Sequence, residues 1–144
     1  MNRLFLIDSS AWIFALGARP VPEIRDRVAE LVDSNLAALT SPIYFELASA
    51  AASSAETPRL LDYLSSLHPF PLLPEDWLQA ASWLKGLRQK GLKAKTMDAL
   101  IAYKAHKHGL VLLHADSDLD RIASAAGVET ESYVRLVRAR SGGR

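Results

Sequence analysis

The stretch Gly109 to Asp120, GLVLLHADSDLD, decides the fold. Leu110 to His114 is a short apolar run of the kind that forms a buried strand, and it empties into three carboxylates at alternate positions, Asp116, Asp118 and Asp120. Immediately before it, TMDALIAYKAHKHG (Thr96 to Gly109) has an N-cap residue at one end and a glycine stop at the other, so a helix feeds the strand. Immediately after it, SDLDRIASAAG predicts a second helix, and VETES offers a last short strand.

The same alternation runs back to the start of the chain. RLFLI (Arg3 to Ile7) predicts a strand and DSSAW a turn into a helix. PEIRDRVAELVDSN has apolar residues at Ile24, Val28, Leu31 and Val32, a helical spacing. LAALT predicts a second strand, followed by the helix SPIYFELASAAASS with Ser41 as N-cap and Pro42 at its first position. TPRLLDYLSSL and EDWLQAASWLKGLRQK are further amphipathic helices, separated by the proline-rich HPFPLLP. Strands alternating with helices imply right-handed crossovers and a mostly parallel sheet covered on both faces, an α/β fold.

At 144 residues one domain is expected, long enough to bury roughly 68–70% of the surface its unfolded form exposes. The expected division is a domain over 1–135 and a basic, frayed tail over 136–144. Cysteine is absent, which excludes disulfides and thiolate metal sites. The net charge of +1 means that a nucleic-acid ligand would be held by local patches, not by the field of the whole molecule. LFLIDSSAWIFALGA has the outline of a secretory signal, but Asp8 interrupts it and the uncharged segments are too short to span a bilayer. A cytoplasmic protein without membrane segments is therefore expected.

Three long apolar stretches each carry a single acid. These are Asp8 between Leu4 and Ala18, Glu46 between Ser41 and Ala55, and Asp98 between Thr96 and Tyr103. Asp8 and Asp116 fall just beyond the carboxyl ends of predicted strands, where open parallel sheets gather ligands. Each acid also has a purely structural role open to it: Asp8 and Asp116 as N-caps, Asp98 as a first-turn acid, and Asp120 as partner to Ser117 in a capping box. Together, however, carboxylates at one sheet end repel one another and lose hydration unless a cation neutralises them. With oxygen ligands only, and no histidine pair at helical spacing, Mg²⁺ or Mn²⁺ suits them better than Zn²⁺. An EF-hand is excluded, because Arg121 stands where its glycine belongs and Gly127 where its glutamate belongs. No Walker loop, HExxH or GxGxxG is present.

DSSAW at the end of the first strand, SPIYFE on the second βα unit, MDALIAYKAHKHG on a later helix and LVLLHADSDLDRI after it resemble a PIN-domain nuclease, specifically the VapC-like toxins of toxin–antitoxin pairs. The resemblance covers nearly the whole chain and implies a three-layer α/β/α architecture. It implies that Asp8, Glu46, Asp98 and Asp116 form a catalytic, metal-binding cluster, with Asp118 and Ser10 as accessory groups. Asp8, Asp98 and Asp116 would hold or orient the ion, and Glu46 would act largely through water. Two positions depart from the family: His114 stands where a threonine or serine is usual, and Leu119 where phenylalanine is common.

The implied activity is a metal-dependent endoribonuclease, with a cognate antitoxin and a second copy of the chain as partners. KGLRQKGLKAK carries five basic residues in eleven, Lys85, Arg88, Lys90, Lys93 and Lys95, and leads into the helix bearing Asp98. These are the candidate contacts to an RNA backbone, with the plain alternative of a solvated helix end. The alanine-rich SAAASSA and RLLDYLSSL are the expected partner-facing segments. Two rival classes remain: a metal-dependent phosphatase using Asp116 or Asp118 as nucleophile, and a catalytically inactive PIN-like binding module. The phosphatase class needs a second acid two residues after the first-strand aspartate, and Asp8 is followed by two serines.

Overall fold

The computed structural model describes residues 3–51 and 57–142. Five parallel strands, β1 (Phe5–Ile7), β2 (Ala37–Thr40), β3 (His68–Phe70), β4 (Val111–His114) and β5 (Thr130–Ser132), form one sheet in the order β3-β2-β1-β4-β5. The helices are α1 (Ser9–Leu16), α2 (Pro22–Asp33), α3 (Ser41–Ala50), α4 (Thr57–Ser65), α5 (Pro74–Gln89), α6 (Thr96–His108), α7 (Ser117–Ala126) and α8 (Val134–Gly142).

Chain order reverses direction across the sheet between β1 and β4. With right-handed crossovers, α1 to α4 cover one face and α5 to α7 the other. The packing agrees: α1 lies on α2 and α3, and α3 on α4, while α6 lies on both α5 and α7. Between them Leu6, Ile7, Ile24, Leu31, Ile101, Leu112, Leu113, Leu119 and Ile122 form a closed core, each residue contributing about 1.5–3 kcal/mol of burial. Trp12 of the expected signal-like stretch belongs to this core, with its ring edge-on to Tyr63 at 5.7 Å. No helix among the described residues is long and apolar enough to cross a membrane.

The structure differs from expectation at four places. HPF, expected as part of a proline-rich break, is the edge strand β3, where Pro69 opposite Leu39 is tolerated because an edge strand pairs on one side only. Residues 136–142, expected as a frayed tail, belong to α8. Val134 is buried, Leu136 and Val137 pack on the core, and Arg140 pairs with Glu23 at 2.6 Å. The N-cap of α3 is Thr40, and Ser41 instead accepts the Leu72 backbone N–H at 3.0 Å. Likewise Lys95, not Thr96, is the N-cap of α6. Most of SAAASSA lies outside the described residues.

Candidate metal centre at the strand ends

The reversal between β1 and β4 leaves a crevice at the carboxyl ends of two adjacent strands, the place where open α/β sheets bind ligands. Asp8 follows β1, caps α1 and is buried, with its Oδ2 accepting both the Ser10 N–H (3.0 Å) and the Ser10 hydroxyl (2.6 Å). Asp116 follows β4 and caps α7, its Oδ1 accepting the Asp118 N–H at 2.9 Å. Both acids therefore perform the capping role open to them from sequence and still face the crevice. Ser117 and Asp120 do not form the expected capping box, since Asp116 is the cap.

Asp98 arrives on the first turn of α6 and Glu46 on α3, with Glu46 Oε1 accepting the Ser9 hydroxyl at 3.1 Å. Asp98, Asp116 and Asp118 each bring a carboxylate oxygen within 4.8 Å of the others. Asp118, expected as an accessory acid, thus sits inside the tightest acidic group found among the described residues. Asp8 and Glu46 flank that group and couple to it through charge.

The electrostatics are those of acids crowded together at a partly buried site. Burial, then the charges of Asp116, Asp8 and Asp118, push the Asp98 carboxyl up to about 6 against the opposing pull of Lys95. Burial also raises Asp8, although its hydrogen bonds from Ser10 oppose the shift. Glu46 is raised by burial and then by the charge of Asp8. Beneath the cluster burial pushes the His114 imidazole down from its ordinary value, against the opposing pull of Asp120, Asp8 and Asp116.

Asp98 Oδ2 is buried with no hydrogen-bond partner, an arrangement that costs free energy unless something binds there. Three converging carboxylates with one orphaned oxygen fit a hard divalent cation, and oxygen-only ligation fits Mg²⁺ or Mn²⁺.

The basic run KGLRQKGLKAK ends beside the site. Lys95 Nζ lies 3.7 Å from Asp118 Oδ2, whose other oxygen is paired with Arg121. Arg88 donates to the Ala94 carbonyl at 3.1 Å, and Lys85, Lys90 and Lys93 are exposed. Two groups escaped the sequence reading. Ser9, the clamp on Glu46, was within reach because it belongs to the DSSAW motif. The wholly buried Asp76, bonded to Lys104 at 2.9 Å and Lys107 at 2.7 Å, had only one signal, a lysine among the apolar residues of α6.

Comparison with known proteins places the fold and the family. The chain is 30% identical over 137 residues to the VapC ribonuclease Mb1587 of Mycobacterium bovis, covering 90% of this chain and 99% of that protein. It is 28% identical to ribonuclease VapC18 of Mycobacterium tuberculosis, covering 91% and 96%. Its fold is similar to VapBC2 from Rickettsia felis bound to a promoter DNA fragment (TM-score 0.72, 20% identity, 90% of this chain and 98% of that one). It is also similar to FitAcB from Neisseria gonorrhoeae (TM-score 0.70, 17% identity, 88% and 96%). The PIN domain family model matches residues 5–125, the span that carries all the acids of the crevice, and the chain belongs to the PIN domain family.

Proposed function

We propose that this chain is a divalent-metal-dependent endoribonuclease, the toxin of a toxin–antitoxin pair. One observation carries the chemistry: the meeting of Asp98, Asp116 and Asp118 around the unpartnered, buried Asp98 Oδ2. The substrate follows from its curated relatives, which are named ribonucleases.

Asp98, Asp116 and Asp118 would hold the ion, with Asp8 beside them. When bound, Mg²⁺ or Mn²⁺ supplies neutralisation of the charge that builds on the phosphoryl oxygens and activation of water for attack. The chain's own residues do the positioning. Ser10 holds Asp8 in one rotamer, and Ser9 holds Glu46 by Oε1, leaving Oε2 to orient a water or take its proton. Lys95, at the rim of the acidic group, is placed to meet an approaching phosphate. The phosphatase alternative needs a second acid two residues after the first-strand aspartate, and Asp8 is followed by two serines.

A protein partner is supported by exposed apolar side chains on α1 (Ile13, Leu16), α3 (Tyr44, Phe45) and α5 (Trp77, Leu78). Such a surface suits a cognate antitoxin and a second copy of the chain. The test is cleavage of RNA by the purified protein with and without Mg²⁺ or Mn²⁺, beside Asp98→Asn. Metal-dependent cutting that the variant loses supports the proposal. Protein that binds RNA and never cuts it identifies the inactive binding module instead.

A further inference from the structure

The last residue of β4 is the odd one in its strand. Val111, Leu112, Leu113 and His114 are all buried, and His114 has no exposed surface. Sealing an imidazole in an apolar layer costs free energy unless its nitrogens find partners, a cost that leucine would avoid. The ring is therefore expected to have a task.

Nδ1 has one: it accepts the backbone N–H of Asp116 at 3.1 Å. An accepting Nδ1 must carry a lone pair, which places the proton of the neutral ring on Nε2. Nε2 lies 3.2 Å from Asp120 Oδ1, without completing a hydrogen bond. Asp120 sits one helical turn beyond Asp116, so its negative charge favours the Nε2–H tautomer from within the same helix. The Asp116 peptide is thus anchored from below by the ring, while its carboxylate is anchored by the Asp118 N–H.

We propose that His114 is a positioning residue for Asp116, its Nδ1 fixing the Asp116 peptide so that the carboxylate points at Asp98 and Asp118, with Asp120 setting the tautomer. The consequence for metal affinity rests on the nuclease reading above; the hold on the turn does not.

His114→Leu keeps the apolar volume and removes the acceptor, whereas His114→Asn returns an acceptor oxygen near the place of Nδ1. The Leu variant is expected to lose about 10–100-fold in Mn²⁺ affinity, measured by calorimetry, at equal or higher melting temperature. Its Asp116 amide should exchange faster, and the Asn variant should regain most of the affinity. In the wild-type protein, nitrogen NMR of the imidazole should show Nε2–H. A Leu variant that binds Mn²⁺ as the wild type does, or a ring protonated at Nδ1, overturns the inference. Wild-type protein that binds no Mn²⁺ overturns the nuclease reading alone, and the tautomer and the Asp116 exchange then decide the role of His114 by themselves.

Discussion

The hydroxyl of Ser10 accepts the backbone N–H of Ala115 at 3.0 Å. Its own proton goes to Asp8 Oδ2 at 2.6 Å, so one side chain in the β1–α1 turn holds both an acid of the crevice and the backbone that leads to Asp116. Ser10→Ala removes both bonds and should cost about 1–3 kcal/mol in urea unfolding. The hydroxyl's bond to Asp8 opposes the upward shift of that acid, so its loss raises the proton affinity of Asp8 further. The acid limb of Mn²⁺ binding should then move to higher pH; an unchanged limb would mean that Asp8 does not sense the ion.

Asp98→Asn and Asp8→Asn each remove a charge from the cluster without changing its size. RNA cleavage should fall by at least about a hundredfold in either variant, measured under single-turnover conditions with the far-ultraviolet spectrum unchanged. Wild-type rates in both variants would mean that the crevice is not the active site.

The metal-free cluster makes a signed prediction in pH. Asp98 titrates at about 6 in the fold against 3.8 in the unfolded chain, so the native state holds more protons between these values. Its contribution to stability therefore falls as pH rises through that window. His114, depressed in the fold, pulls the other way, so the measurement is the difference between variants. Asp98→Asn should gain on metal-free wild type from pH 4 to 7, reaching about 1 kcal/mol at this half-exposed site after allowance for screening. The stabilisation of wild type by Mn²⁺ should grow over the same range, because the ion and the protons compete.

Asp76 is buried between α5 and α6, the helix that carries Asp98. Burial opposes its ionisation, yet the bonds from Lys107, the Leu73 N–H and Lys104 together hold it well below the usual carboxylate range. Asp76→Asn leaves the buried Lys104 uncompensated and should cost about 3–5 kcal/mol in chemical denaturation. Adding Lys104→Met should recover much of that loss, since it removes the buried charge left without its partner. A double variant as unstable as the single one would contradict this account.

For the basic run, replacing Lys90, Lys93 and Lys95 by alanine should raise KM for RNA and leave kcat nearly unchanged. The slope of log KM against log salt concentration should shrink by about one for each phosphate that no longer meets a lysine. An unaltered salt dependence would return these lysines to the role of a solvated helix end.

Much of the fold was legible because its signals are local. The helical spacing of Ile24, Val28 and Leu31 and the glycine stops at Gly109 and Gly127 depend on neighbours a few residues away. β3 was not legible, because Pro69 argues against a strand unless that strand is known to lie at an edge. The order of strands in a sheet is not written in any one segment. α8 is short and basic, and only the core beneath Val134 and the carboxylate of Glu23 make it worth forming.

The sequence by itself determined that strands alternate with helices and that lone acids stand at strand ends and on first turns, since periodicity and capping act within a few residues. Only the tertiary structure decided that β1 pairs with β4, that Asp118 closes with Asp98 and Asp116 while Asp8 is turned to Ser10, and that His114 lies beneath them. The reason is physical: a metal site is set by which oxygens converge within a few ångströms, and that convergence comes from packing between segments far apart in the chain.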